Sequence, residues 1–579
     1  MTMPRHLGLL GVTFLGVACV GAIGQQQAWP QYRIERLTIA NFTPVALNNA
    51  GQACGYQWYS WCCGQANTRS VIRDLDGTVR VNPERADDMP LNIDDEGVLY
   101  GVGAGSGCRD PSCWLPKWDA VKFDPLLRPV MVRAGYGGNG NSGSQVYQQY
   151  VMEQSGYGIG NLTDGWGGQV GWLRRPNGSF VSLPDVAIDF NRRMHILLRS
   201  GSLATTSLTN TAALPMPGTC ESRARDLNNV DGRLLWGGCN SFAFRRAGIA
   251  FPDSSIVSIP ELPGAGEVVE ALRMNDSFVV VGSDQEELCS GCQQNARRAL
   301  AFHPTLGSVS LNSRIANPIA GVSIVEGKDI NNWGMILATT SDGAGCVLVP
   351  DVACATVLVQ PEGRCVTSGS VAWLSAAFVS PVPLTFQWYK DGLPLVDGPD
   401  VFGATLPSLI IDSMSVAHVG AYSCVATAAC GSIATVAASL RLPATLSITQ
   451  QPQSQAVAST GSVTFSVGVD RSSGCASPLQ FVWQRRDLRV ADENAPGAWI
   501  DLNDGGVVVN ARTQAMTLLQ ALPGTVGPYR CRIADPCGCD PIFSEPADFS
   551  VACPADFNAD GGVDFTDVEA FFERWENGC

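Results

Sequence analysis

One short pattern recurs through roughly the first 350 residues: an apolar residue, Asn or Asp, Asn or Asp, any residue, Gly, then mainly apolar positions closed by a second Gly. It reads Leu47-Asn-Asn-Ala-Gly-Gln-Ala-Cys-Gly55 and Ile93-Asp-Asp-Glu-Gly-Val-Leu-Tyr-Gly101. Met152-Glu-Gln-Ser-Gly-Tyr-Gly-Ile-Gly160 is a drifted copy, and Leu227-Asn-Asn-Val-Asp-Gly-Arg-Leu-Leu-Trp-Gly237 reads as a copy with an insertion. Met274-Asn-Asp-Ser-Phe-Val-Val-Val-Gly282 and Ile330-Asn-Asn-Trp-Gly-Met-Ile-Leu-Ala338 follow. Phe190-Asn-Arg-Arg-Met-His-Ile-Leu-Leu198 reads as a seventh copy without the glycines. Asn or Asp followed by Gly marks a tight turn that needs positive φ, so each copy predicts strand, turn, strand. The copies lie about 37 to 59 residues apart, the range of propeller blades and other repeat units. A lone hairpin has too little core to stand by itself, so neighbours must stack. A closed ring of about seven units removes the sheet edges; an open stack is the alternative arrangement.

Composition agrees with a turn-rich, mainly β protein. Charged residues make up 16% of the 579 and glycine supplies 62, with little helical periodicity. The net charge of −15 and the lack of any basic stretch argue against nucleic acid as a partner. Residues 1–24 read as a secretory signal: Arg5 and His6, an apolar run from Leu7 to Val20, and a small-residue site at Ala22-Ile23-Gly24. A lipoprotein reading would instead acylate Cys19. No later run is long and apolar enough for a membrane helix, so the mature chain is expected to have no transmembrane segment. Of 21 cysteines, 20 remain once Cys19 leaves with the signal. That even count and density predict disulfides in an oxidising compartment. Cys289-Ser-Gly-Cys292 lacks a second metal-binding pair and reads as a loop staple.

The repeat resembles the HAF-type repeats of secreted bacterial proteins, which implies a propeller-like fold over residues 25–350 and no specific activity. Tyr56, Trp58, Tyr59 and Trp61 read as packing aromatics, with sugar stacking as the alternative. The glycine loop Gly135–Gly140 is followed by more Gly, Asn and Ser instead of a helix, and so is not read as a phosphate loop.

Two β-sandwiches follow, at 351–445 and 446–552. Phe386-Gln-Trp388 has the form of an immunoglobulin strand C, and Tyr422 precedes Cys424 by two residues as in a tyrosine corner. The second copy has Phe481-Val-Trp483 and Pro528-Tyr-Arg-Cys531. Both resemble bacterial immunoglobulin-like domains and are read as spacers. Their strand B positions, near Ser375 and Val467, hold no cysteine. Cys424 and Cys531 are therefore expected to be free or paired elsewhere. Cys354, Cys365, Cys424 and Cys430 form a local set with open pairing, and Cys475 is placed to bridge Cys537 or Cys539.

No catalytic signature is present. The four His are scattered, and there is no HExxH, GxSxG or P-loop. The expectation is a non-enzyme. The alternative is an extracellular carbohydrate-active enzyme that assembles a carboxylate pair from separate repeats.

The chemistry readable in sequence lies at 553–579. Asp556, Asn558, Asp560, Asp564 and Asp567 occupy positions 1, 3, 5, 9 and 12 of a calcium loop. Gly561 sits at the sharp turn, and Gly562 offers its carbonyl from position 7. Phe565, Val568, Phe571, Phe572 and Trp575 then recur at helical spacing. This resembles one half of a dockerin of the Gly-Cys type found at the C-termini of secreted bacterial proteins. The resemblance implies one Ca2+, held by Asp556, Asn558, Asp560, Gly562, Asp564 and Asp567, and a cohesin-like or other cell-surface protein partner. Cys553 and Cys579 flank the unit and are expected to staple it. The sequence thus predicts a mainly β, secreted or cell-surface protein: a β-propeller-like repeat domain, two immunoglobulin-like sandwiches and a small calcium-loop and helix module. A polysaccharide is a further expected partner class.

Overall fold

The computed structural model describes residues 28–576 apart from 63–64, 83–87, 105–117, 124–128, 134–149, 153–156, 164–168, 210, 215–218, 220, 239–245, 264, 287–295, 444–445, 459–460, 472–477, 494, 496, 521–524, 536–540, 553–556 and 559. The signal segment, the Gly135–Gly140 loop, Cys289 with Cys292, Cys475, Cys537, Cys539 and the Cys553/Cys579 staple all lie outside the described residues.

Up to Pro350 the described residues form seven antiparallel sheets in chain order. They open with the strands Phe42–Leu47, Asp88–Ile93, Tyr150–Met152, Ala187–Phe190, Glu221–Leu227, Ala265–Met274 and Ile324–Ile330. The seventh sheet takes its last strand from the start of the chain. Tyr32–Arg36 pairs antiparallel with Gly345–Pro350, setting Tyr32 against Pro350 and Arg36 against Cys346. The opening strand of each sheet touches the opening strand of the next, and that of the seventh touches that of the first. Contacts between the sheets are therefore cyclic.

The recurring pattern makes that cycle. In each described copy the first Asn or Asp caps the turn after the opening strand. Asn48 Oδ1 accepts from the Ala50 and Gln52 amides at 3.1 and 2.8 Å, and Asn228 Oδ1 from Val230 and Gly232 at 3.2 and 2.6 Å. The amide end of the same side chain reaches the next copy. Asn191 Nδ2 donates to Asn228 O at 3.0 Å, Asn228 to Asn275 O at 3.3 Å and Asn275 to Asn331 O at 2.9 Å. Asn331 Nδ2 returns to Asn48 O at 3.3 Å, and Asn48 Nδ2 goes on to Asp94 O at 2.8 Å. One asparagine thus ties its own turn and its neighbour's, which few side chains other than Asn, with donor and acceptor on one short stem, can do.

The two glycines of the pattern have different reasons. The first sits in the left-handed region, with φ of 81° at Gly51, 80° at Gly97 and 81° at Gly334. Where glycine is missing, Met194, Asp231 and Phe278 take φ of 62°, 62° and 60° at the same position. The Leu227 copy therefore contains no insertion: Asp231 replaces the glycine, and the Asn228 amide still bonds Gly232 O four residues on. The Phe190 copy is a full member, since Asn191 caps and bridges like the rest. The second glycine faces a bulge in the opening strand. A Cβ on Gly55, Gly101 or Gly282 would meet a carbonyl of that strand at 2.1, 2.1 or 2.0 Å.

Residues 356–441 and 446–552 form the two sandwiches. Trp388 and Trp483 are fully buried. The Tyr422 hydroxyl donates to His418 O at 2.6 Å, and the Tyr529 hydroxyl to Thr525 O, closing the two tyrosine corners. Cys424 and Cys531 are buried and free, as the missing strand B cysteines predict. Within the open set of four, Cys354 pairs with Cys430, and Cys365 is also in a disulfide.

The first sandwich, read from sequence as a spacer, makes close contact with the repeat region. It is seated on the turns of the repeat region. Trp373 stacks on Phe251 at 4.6 Å between centroids and 6° between planes, and the Arg364 guanidinium lies 3.5 Å from its ring. Its indole nitrogen donates to Asp253 at 3.0 Å. Ser277 Oγ donates to Ala376 O at 2.9 Å, and Ser380 N to Trp333 O at 3.1 Å. Leu358, Val359, Ala377 and Val379 share one apolar cluster with Ile330, Ile336 and Leu348.

Two outcomes follow from these contacts. Asn228→Ala orphans two buried amides and takes one of two donors from the Asn275 carbonyl, which keeps Phe278 N, and is expected to cost about 3 kcal/mol in urea unfolding. A loss under about 1 kcal/mol would show that the bridge is dispensable. Trp373→Ala removes the stack and is expected to cost about 3–5 kcal/mol and to split the joint melting of repeats and first sandwich into two transitions. A single unchanged transition would refute the clamp.

Candidate functional site

A cavity of about 460 Å³ lies where the opening strands converge. Its wall is built by two positions of the pattern. The residue two before the first Asn or Asp projects inward: Asn92, Asp189, Asp226, Arg273 and Asp329 line the cavity. The residue after the first Asn or Asp forms a second polar tier of Asn49, Asp95, Arg192, Asn229, Asp276 and Asn332.

The second tier is tied into itself. Asn49 N donates to Asp95 Oδ1 at 2.9 Å, and Arg192 Nη2 reaches Asp95 Oδ2 at 2.6 Å from two repeats away. Asn229 Nδ2 and Asn332 Nδ2 both donate to Asp276 Oδ2, at 3.1 and 2.7 Å, and Asn332 N donates to Asn49 Oδ1 at 2.8 Å.

The inward acids serve the backbone. Asp189 Oδ2 accepts from the Leu227 amide at 3.1 Å, Asp226 Oδ2 from Met274 at 2.6 Å and Asp329 Oδ2 from Leu47 at 2.7 Å. Each carboxylate thereby joins its own opening strand to the next one. Arg273 Nε lies 3.8 Å from Asp226, and the charges of Asp226, Asp329 and Asp189 raise its pKa.

Burial dominates the electrostatics. Asp189 opens partly to the cavity yet is enclosed by protein, and this desolvation, with the Asp226 charge beside it, pushes its pKa up to about 8. Burial likewise raises Asp226, opposed by the Arg273 charge and by the hydrogen bond it accepts from the Met274 amide. Burial pushes Asp329 up to about 7, opposed by Arg273. The cavity is thus a polar chamber whose buried acids keep their protons to higher pH than exposed carboxylates do.

None of these acids was named from sequence. Superposing the pattern copies would have found them, because the position two before the first Asn or Asp reads Asn92, Asp189, Asp226, Arg273 and Asp329 in five of the seven copies, against Ala46 and Val151 in the others, polar where an opening strand would otherwise bury an apolar residue.

The sequence-predicted loop lies elsewhere, before the helix Phe565–Glu576. Gly561 takes φ of 90° at the expected sharp turn. Asp567 is 2% exposed and closes the loop, accepting from Asn558 N at 3.2 Å and Asp564 N at 2.8 Å. Asn558 Oδ1 and Asp560 Oδ1 accept from Asp560 N and Gly562 N, both at 2.9 Å. Asp564 is exposed, and its hydrogen bonds from Thr566 hold its carboxyl below the usual range. Asp556 lies outside the described residues. Among the described residues no three acidic, His or Cys side chains gather as a metal would require. The loop has the turn chemistry and oxygen-rich side chains that suit a hard cation. Phe565, Val568, Phe571 and Phe572 on the helix are exposed.

The remaining aromatic and histidine readings resolve simply. Tyr56 and Trp58 pack edge-on at 5.5 Å, and the Trp58 indole donates to Thr43 Oγ1 at 3.2 Å. His303 is buried, and desolvation pulls it down to about 4. His195 Nδ1 lies 2.8 Å from Asp231 Oδ1. Among the described residues, no helix is long and apolar enough to cross a membrane.

No protein-family model matches the chain. It is similar to the advanced glycosylation end product-specific receptor of Rattus norvegicus, with 29% identity over 143 residues, 24% of this chain and 34% of the receptor. The chain therefore spans about a third of the length of that relative. Solved structures that resemble part of it include Drosophila OTK extracellular domains 3–5, at 16% identity and TM-score 0.25, covering 44% of this chain and 78% of that one. Titin Ig tandem domains A164–A165 match at 15% identity and TM-score 0.18, covering 34% and 96%.

The buried acids make stability depend on pH. Their folded pKa values lie above the ordinary 3.8, so the native state keeps protons that the unfolded chain has released. This contribution is full below about pH 4 and is lost as pH rises through about 7 to 8. His303 acts oppositely, but only below about pH 6.5. Between about pH 6.5 and 8.5 the melting temperature should fall, and Asp226→Asn should flatten the fall and gain about 1–3 kcal/mol at the upper end. An unchanged slope in Asp226→Asn would rule out a raised Asp226 pKa in the folded state.

Proposed function

We propose that this chain is an exported, modular binding protein without catalytic activity. In this reading the seven cyclically packed sheets form a closed β-propeller, and the first immunoglobulin-like domain is clamped to it. The second domain is the spacer, and residues 553–579 attach the whole to a cell-surface or cohesin-like partner. The observation that carries it is the use made of Asp189, Asp226 and Asp329. All three are spent on backbone amides of neighbouring strands. A glycoside hydrolase needs two free carboxylates about 5 to 9.5 Å apart. Asp189, Asp226 and Asp329 each hold a backbone amide of the next strand instead. The carbohydrate-active alternative therefore finds no support in this cavity, while an uncharged, hydroxyl-rich ligand such as a saccharide suits its donors and acceptors.

Support for export comes from the residues themselves. The N-terminal segment has secretory composition, and Cys354–Cys430 is a disulfide, which persists in oxidising surroundings. For the tail, a Ca2+ would be held by Asp556, Asn558, Asp560, the Gly562 carbonyl, Asp564 and Asp567. It would neutralise the loop's carboxylates and stiffen the start of the helix that presents Phe565, Val568, Phe571 and Phe572. Those exposed side chains suit a protein partner.

The test uses the full chain. Calcium titration should show one site, lost in Asp560→Ala and Asp556→Ala, with no calcium effect on the melting of the other domains. Deletion of 553–579 should move the protein from the cell-surface fraction to the medium. Absence of calcium uptake would remove the loop assignment, and unchanged fractionation would remove the attachment role.

A further inference from the structure

A second cavity, of about 350 Å³ and partly open, lies at the seam between the repeat region and the first sandwich. The repeats contribute Arg193, His195, Leu203, Leu214 and Arg233 among others, and the sandwich contributes Val371, Ile410 and Asp412. The volume falls in the range of small-molecule sites. Its lining is mostly apolar around a small set of charged groups.

The charges in it are unequally served. Asp231 is saturated: Oδ1 takes Asn191 Nδ2 at 2.7 Å and faces His195 Nδ1 at 2.8 Å, and Oδ2 takes Arg193. Arg193 also pairs with Asp412 across the seam. Arg233 is left over. It is 4% exposed, and its Nη1 donates to Gly201 O at 3.1 Å. Its Nε is buried without a hydrogen-bond partner. Asp231 acts on it through space, but among the described residues no carboxylate forms an ion pair with it. A guanidinium is always charged, and burying one unpaired is costly. Of the buried arginines in this seam, Arg193 has two acids and Arg233 has none.

We propose that the seam cavity binds a small organic monocarboxylate, with its carboxylate on Arg233 and its apolar body against Leu203, Leu214, Val371 and Ile410. A carboxylate on the cavity side of the Arg233 guanidinium would gain charge-assisted hydrogen bonds, roughly twice as strong as neutral ones. The rest of the lining excludes a polyanion: Asp231 and Asp412 would repel charge beyond the head group. Because both domains supply wall, the ligand binds only the docked arrangement and so tightens the clamp.

The probes are hexanoate and benzoate, each beside its uncharged amide, titrated into the full chain by calorimetry and thermal melting. At least one acid should bind and raise the joint transition of repeats and first sandwich, and its amide should bind at least about tenfold more weakly. Arg233→Gln should lose the acid's advantage over the amide, while the unliganded variant melts near the wild type. Should that variant misfold, Val371→Phe fills the apolar end without touching Arg233 and should abolish the shift. The proposal is overturned if neither acid shifts the transition, if the amides match the acids, or if Arg233→Gln responds as the wild type does. Any of these would leave Arg233 satisfied by solvent and its bond to Gly201. The calcium and fractionation tests above do not bear on this site, so either result stands independently.

Discussion

The fold rests on a side-chain to backbone hydrogen bond made repeatedly between neighbouring turns. Each repeat sheet is too small to exclude water from its own faces, so the arrangement depends on what fixes one sheet against the next. The asparagine at the turn does this with its two ends: the carbonyl stays home and stabilises the turn, and the amide crosses to the next turn's carbonyl. The bonds are buried, where leaving a partner unmade costs more than making the bond gains. A break in one repeat thus orphans amides in its own turn and removes a donor from the next turn's carbonyl. The bond from Asn331 to Asn48 spans 283 residues of chain, and it closes the cycle together with the strand pairing of Tyr32–Arg36 on Gly345–Pro350.

The same logic explains the inward acids. Bulges in the opening strands turn the residue two before the cap toward the centre and leave amides that need acceptors. Asp189, Asp226 and Asp329 supply them from neighbouring strands, and Asn161 does similar work with both ends on Ala187 in the third sheet. Carboxylates in such a place are structural by position, and burial raises their pKa because the chamber solvates charge poorly. A cluster of raised pKa values is often a mark of catalysis; here it is the electrostatic consequence of the bulge chemistry.

Much of this was legible in the residues. The turn pattern marks where the sheets begin, since Asn and Gly carry the local conformation by themselves. The Leu227 and Phe190 copies were harder to read because Asp231 and Met194 accept a positive φ that glycine normally signals, the tertiary ring overriding a local preference. Trp388, Tyr422 and their counterparts were readable because each does a fixed job in the sandwich core. Docking of the first sandwich was not readable. Trp373, Phe251 and Arg364 are 122 and 113 residues apart for the first two pairs, and nothing local distinguishes an aromatic that packs at home from one that packs on another domain. The central acids lay between these cases, visible only once the copies are superposed.

The seam also changes what the modules mean. Had the first sandwich been a spacer, the repeat region would present both of its ends to ligands. Instead Ser277, Trp333 and Gly334, all in the recurring turns, are covered by it, and a side chain added at Gly334 would meet Val379 at 2.8 Å. The recurring turns are therefore also the floor on which the next domain sits. Substitutions there act on both at once, and selection for a close-fitting turn at the seventh repeat is selection for a fixed orientation of the sandwich. The repeats and the first sandwich share one apolar cluster and several side-chain hydrogen bonds across the seam.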